Sequence, residues 1–168
     1  MGEVDGKHKD ITFNGPLEAG VRAVAVLAAA YPKTFDLQRL TAFDYLLVRT
    51  SELDGPPSLH PQTPIRDPNA EVRRKVVQLG LTLMMTRDLI NQTAAPNGIE
   101  YVAGESASLF VESLREPYHV LLRERANWLV IHFAKYTDNE FRRVIHSFFD
   151  NWAMEFQHIE NSLGGDTQ

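Results

Sequence analysis

The chain reads as a mainly α protein with a small β-hairpin, a winged helix-turn-helix followed by C-terminal helices. Three observations predict this. From residue 70 onward, apolar side chains recur at the three-and-four spacing of one long helix. After Arg87 the period drops to two, on either side of a turn containing Asn97-Gly98. Two further helical patterns precede the long one, and the order helix, helix, long helix, hairpin is that of a winged helix-turn-helix.

Taken in order, residues 1–12 read as a flexible arm. The first helix opens at Asn14-Gly15-Pro16, with proline at the first helical position and Glu18 near the positive end of the dipole, and stops before Pro32. Its expected buried face is Leu17, Val21, Val24 and Ala28. Small residues at Ala25, Ala28, Ala29 and Ala30 allow close approach of another helix, either inside a bundle or across a subunit contact. Thr34 or Asp36 caps a second helix that runs to about Val48, with Leu37, Leu40, Phe43 and Leu47 inward. Its polar residues Gln38, Arg39 and Asp44 carry no recognisable chemistry.

Residues 50–68 hold five prolines, which exclude a helix and most ladder pairing because proline lacks an N–H and pushes its predecessor out of the α region. A stiff, extended loop loses little entropy on making a contact, so Pro56, Pro57, Leu59, His60, Pro61 and Arg66 are candidate partner-binding residues. His60 has no partner in sequence for proton transfer or metal binding; the alternative is a ring bonded to nearby backbone.

The long helix follows, with Asp67 as N-cap and Pro68 in its first turn. Val72, Val76, Leu79 and Leu83, widened by Val77, Leu81 and Met84, form its expected buried face, opposite Glu71, Arg74, Lys75, Gln78 and Thr82. Arg73, Arg74, Lys75 and Arg87 are candidate nucleic-acid contacts, since a recognition helix presents cations to phosphates and base edges. The alternative is a solvated helix face, and the expected wing tip, residues 94–98, carries no Lys or Arg. Strands are predicted over 89–93 and 99–103. A short helix over 105–114 precedes a longer one beginning at Pro117, with Tyr118, Leu122, Ala126, Leu129 and Phe133 buried. Thr137-Asp138-Asn139-Glu140 is a capping box that launches a last helix bearing Phe141, Val144, Ile145, Phe148, Trp152 and Phe156. The expected organisation is a winged-helix domain over 13–103, a helical segment over 104–160 packed on it and a disordered tail over 161–168.

Composition narrows the function. The chain has 168 residues, 43% of them hydrophobic, which suits one globular domain, and a formal charge of −5 lacks the overall basic footprint of a free-standing nucleic-acid binder. Absence of cysteine excludes disulfides and thiolate metal sites and fits a reducing cytoplasm. No targeting segment or membrane span is evident, and no cofactor is expected. The phosphate-loop, dinucleotide-fingerprint, nucleophile-elbow and HExxH patterns are missing, and Glu155 with His158 gives one E-x-x-H where a carboxylate-bridged metal site needs two. The residues predict a protein that is not an enzyme.

Three stretches carry a resemblance: FNGPLEAG at 13–20, FDLQRLTAFDYLLV at 35–48 and GPPSLHPQTPIR at 55–66, feeding the helix with its paired arginines. Together they resemble the middle component of bacterial ABC-three-component systems over nearly the whole chain. That resemblance implies a cytoplasmic, non-catalytic adaptor subunit with a winged-helix scaffold. Its implied partners are an ABC ATPase of the SMC/Rad50 type and a variable effector, in a defence system against phage or foreign DNA. It makes the Pro-rich loop with His60 and its flanking helices candidate partner surfaces, and Arg73, Arg74 and Lys75 candidate contacts to nucleic acid or an acidic ATPase surface. The alternative is a stand-alone winged-helix transcriptional regulator, binding DNA as a homodimer.

Overall fold

The computed structural model describes residues 15–61 and 70–148. Helix α1 (Pro16–Ala30) leads to a two-residue strand β1 (Phe35–Asp36), helix α2 (Leu37–Leu47) and a 3₁₀ turn (Thr50–Leu53). The long helix α3 (Ala70–Met85) runs into the hairpin β2 (Ile90–Ala95) and β3 (Gly98–Ala103), and α4 (Ala107–Ser113) and α5 (Pro117–Phe133) follow. Residues 138–148 form a further helical stretch, α6. None of the helices described is long and apolar enough to cross a membrane.

The chain is therefore mainly helical with a small antiparallel sheet, as the sequence predicts. One strand was not foreseen. Phe35 and Asp36 pair with Tyr101 and Glu100 of β3, giving the order β1-β3-β2. A two-residue strand is too short to show a period of its own, so sequence patterning could not reveal it. Asp36 then caps α2, accepting a hydrogen bond from the Arg39 amide at 2.7 Å, while Thr34, the other candidate cap, donates instead to Glu100. The hairpin is tighter than expected: Ala95 pairs with Gly98, leaving only Pro96 and Asn97 in the turn, and Gly98 supplies the positive φ of 130°.

Helix α1 is the centre of the fold, packed against α2, α3, α4, α5 and β3. Its small residues serve internal packing. At the crossing with α3, a Cβ on Gly80 would stand 2.6 Å from both the Gly20 amide nitrogen and the Pro16 carbonyl oxygen, so the two backbones are in contact. This crossing keeps Val24, Val77, Leu81 and Met84 of the expected faces inside but turns other members of both faces outward. On α1, Leu17 is 55% exposed while Ala19, Ala23 and Leu27 are buried. On α3, Val77, Leu81 and Met84 are buried, whereas Val72 and Leu79 are 49% and 57% exposed. The closest approach is made by the residue with no side chain, not by the largest apolar ones.

The C-terminal helices share the same core. Leu122, Ala126, Leu129 and Phe133 of α5 are buried, as their spacing predicts, and Phe133 meets Phe43 and Phe141 at ring-centroid distances of 5.7 and 5.1 Å. The capping box forms in both directions: Glu140 donates its amide to Thr137 Oγ1 at 3.2 Å and the Thr137 amide donates to Glu140 Oε2 at 3.3 Å. The expectations for 1–12, for Trp152, Phe156 and the Glu155/His158 pair, and for 161–168 lie outside the described residues.

Candidate functional site: a buried polar network

Three helices converge on one carboxylate. Asp44, on the buried side of α2 beside Phe43, is 5% exposed at its side chain. Arg22 of α1, equally buried, donates through Nε to Asp44 Oδ1 at 2.7 Å. Arg73 of α3 donates through Nη1 to Asp44 Oδ2 at 2.8 Å. Each carboxylate oxygen therefore faces its own guanidinium, the charge-assisted geometry in which a buried ion pair is worth keeping. Burial opposes the charge on Arg22, but Asp44 more than offsets it and holds the guanidinium protonated above its ordinary value.

The network extends to the Pro-rich loop through α5. His60 Nε2 and the Tyr118 hydroxyl share a hydrogen bond of 2.9 Å, with the two rings nearly parallel at a centroid distance of 6.1 Å. Burial raises the Tyr118 hydroxyl's pKa, opposed by the charge and hydrogen bond of Arg22. Desolvation, reinforced by the nearby positive charges of Arg22, Arg49 and Arg73 and only partly offset by Asp44, holds the His60 imidazole down to about 4. At neutral pH it is an uncharged ring. Tyr45 completes the cluster, with Arg49 4.2 Å and Arg73 5.3 Å from its ring centroid.

The loop is moulded onto the domain by further bonds. The Leu59 and His60 amides both donate to the Val48 carbonyl at 3.1 Å, and Thr50 Oγ1 donates to the Pro56 carbonyl at 2.8 Å. Arg125 Nε of α5 donates to the Pro57 carbonyl at 3.1 Å. Gly55 lies so close to Trp128 that a Cβ there would stand 2.5 Å from the indole. Of the loop residues singled out in sequence, Pro56, Leu59 and His60 are half-buried, Pro57 and Pro61 are exposed, and Arg66 lies outside the described residues.

The basic cluster splits in the same way. Arg73 turns inward to Asp44, while Arg74, Lys75 and Arg87 are exposed. Sequence reasoning missed Arg22, Asp44, Tyr45, Arg49 and Tyr118. A signal was present: Arg22 interrupts an apolar run, and Asp44 sits among Leu40, Phe43 and Leu47. Two opposite charges embedded in apolar helical faces imply a buried pair. Chemically, the arrangement fixes geometry. Asp44 accepts from two cations and His60 is bonded to a phenol, and no group of three or more His, Asp or Glu placed to hold a metal occurs among the described residues.

The family model described as ABC-three component (ABC-3C) system Middle Component 2 matches residues 12–155. No curated protein and no solved structure matches the chain. The matched span contains the whole network, from Arg22 to Tyr118, together with the Pro-rich loop. The chain belongs to the Middle Component 2 family of ABC-three-component systems, and as a component of a multi-part system it has partner proteins.

Proposed function

We propose that this chain is a non-catalytic adaptor that links an SMC/Rad50-type ABC ATPase to an effector in a cytoplasmic bacterial defence system against phage or foreign DNA. The observation that carries this reading is the fate of the chemistry-bearing side chains. His60, from the loop motif, and Arg73, from the paired arginines, meet Tyr118 and Asp44 inside the domain. Such a network stiffens a scaffold and leaves the outer edge of the loop, Pro57 and Pro61, facing solvent as a partner surface.

The test is co-expression of the full chain with the ABC ATPase and the third component encoded with it. A complex that survives size exclusion is expected, and so is loss of phage protection when this chain is deleted. A chain that elutes alone overturns the adaptor role. A folded His60→Gln chain that still assembles but no longer protects would reveal chemistry at His60 and overturn the non-catalytic reading.

A second reading has one specific support. The element order, the sheet order β1-β3-β2 and the exposed Arg74 and Lys75 on α3 are what a DNA-binding winged helix would present. A stand-alone regulator predicts nanomolar-range duplex binding with a steep salt dependence that weakens when Arg74 and Lys75 become alanine. Fluorescence anisotropy against duplex DNA at two salt concentrations separates the two readings.

A further inference from the structure

We infer that Asn97, at the tip of the β2-β3 hairpin, is a self-modification site where the chain converts its own asparagine to aspartyl and isoaspartyl products, with water as the only co-reactant. The reaction needs an asparagine whose side-chain carbon can be reached by the next residue's backbone nitrogen, and the usual obstacle is that residue's side chain. Here the next residue is Gly98, which has no Cβ. A Cβ built there would meet nothing within 4 Å, so the space a ring needs is open. Pro96, Asn97 and Gly98 are exposed, and Ile99 after them is 52% exposed, which admits water and hydroxide.

The fold also fixes the susceptible pair. Ala95 pairs with Gly98 across a turn of two residues, and Gly98 holds a φ of 130° that residues with side chains rarely adopt, so glycine is required after Asn97. What restrains the Gly98 amide is the end rung of the ladder, and end rungs open locally at little cost. Asp54-Gly55 is the opposite case. The Gly55 amide donates to the Thr50 carbonyl at 3.0 Å, and a Cβ on Gly55 would lie 2.5 Å from the Trp128 ring, so no ring can close there. The other Asn-Gly pair, Asn14-Gly15, has its asparagine outside the described residues.

Hydroxide removes the Gly98 N–H proton, and the nitrogen attacks Asn97 Cγ. The new N–Cγ bond closes a succinimide ring, the Cγ–Nδ2 bond breaks, and Nδ2 takes up a proton and leaves as ammonia. Water then opens the ring. Addition at Cγ breaks the new bond and gives an aspartyl residue; addition at the backbone carbonyl carbon breaks the original peptide bond and gives an isoaspartyl residue, whose chain runs through Cβ and Cγ. Either product places a carboxylate on a tip, residues 94–98, that has no Lys or Arg. The isoaspartyl product also lengthens the backbone of a two-residue turn by one atom, which shifts the Ala95–Gly98 pair out of register.

The test is peptide mapping by mass spectrometry, with isoaspartyl detection, of the native full chain incubated at neutral and mildly alkaline pH. Asn97 is expected to convert about tenfold faster than Asn91 and Asn127, which are exposed but followed by Gln92 and Trp128, and faster still at the higher pH. Asn97→Gln, which would have to close a larger ring, is expected to leave the site unmodified. In the aged chain, amide exchange is expected to speed up at Ala95 and Gly98 while that of α1 stays unchanged. A native-chain rate at Asn97 no higher than at Asn91 and Asn127 overturns the site, even where the urea-unfolded chain converts, because the end rung then protects it. An aged chain whose hairpin exchanges like the fresh one overturns the shift of register.

Discussion

The inward and outward sides of α3 each carry an exception to the usual distribution of polarity, although Val77, Leu81 and Met84 are buried and Arg74 and Lys75 exposed in the ordinary way. Inward, Arg73 reaches an Asp44 that is 5% exposed, close to a backbone crossing at Gly80. Outward, Val72 and Leu79 face solvent. In most surface helices the cation would be outside and the aliphatic side chains inside. The difference shows that the position of this helix is set by where its backbone can approach α1 and where a paired charge can be satisfied. The apolar stripe left over lies outside the core.

The comparison breaks first at the inward side. Asp44→Asn keeps the shape of the side chain but leaves the guanidinium groups of Arg22 and Arg73 facing an amide. Loss of the acid from a buried, hydrogen-bonded ion network is expected to destabilise the fold by about 3–5 kcal/mol, read as a lowered urea midpoint. A loss under about 1 kcal/mol would mean that water already solvates the network, and the inward side would then be no different from the surface.

Gly80 gives the next largest effect. A methyl group there would lie 2.6 Å from Gly20 N and Pro16 O, both backbone atoms that move only if the helices part. Gly80→Ala normally favours an exposed helix by up to about 1 kcal/mol, yet here it is expected to lower stability by about 1–3 kcal/mol through overpacking. The sign, measured by chemical denaturation, is the decisive quantity.

Much of this architecture was legible in the sequence, and the rest was hidden for identifiable reasons. Long periodic elements and their punctuation read true: Pro16 and Pro117 at helix starts, the 137–140 capping box, and the α5 stripe from Leu122 to Phe133. Strand β1 was invisible because two residues carry no period. The expected faces of α1 and α3 hold at Val24, Val77, Leu81 and Met84 and fail at Leu17, Val72 and Leu79, because hydrophobicity ranks these above glycine, whereas the closest packing belongs to Gly20 and Gly80. The network was half legible. His60 and Arg73 stood out as polar residues in suggestive places, but their partners Tyr118 and Asp44 are 58 and 29 residues away, and only the tertiary fold pairs them.

Acid is expected to loosen the loop side of the network. An unfolded chain protonates His60 near 6.5, but the folded one holds it neutral down to about 4, because burial and the charges of Arg22, Arg49 and Arg73 oppose the imidazolium. Above pH 6.5 both states are neutral at this site and the folded form has its full stability. As pH falls from 6.5 towards 4 the unfolded state takes up a proton that the folded state refuses, so stability declines across that window. Discounted for partial solvent exposure, the loss is on the order of 1–2 kcal/mol. It is checked by comparing urea midpoints at pH 7 and pH 4.5 for wild type and His60→Gln; a variant with the same slope against pH as wild type would remove His60 from the explanation.

The smallest effect belongs to the outward side and sharpens the contrast most. Leu79→Ser and Val72→Ser delete aliphatic side chains that are already half in water, so each should change the stability of the isolated chain by less than about 0.5 kcal/mol. Leu81→Ala, two residues from Leu79 on the same helix but fully buried, should lower it by about 2–5 kcal/mol. Both sets are read on one denaturation curve per variant. A Leu79→Ser chain as unstable as Leu81→Ala would mean that the stripe is covered by the chain's own residues, and α3 would have no outward face. Near-neutral behaviour at Leu79 beside a large loss at Leu81 is what separates a side chain left outside the core from one kept for folding.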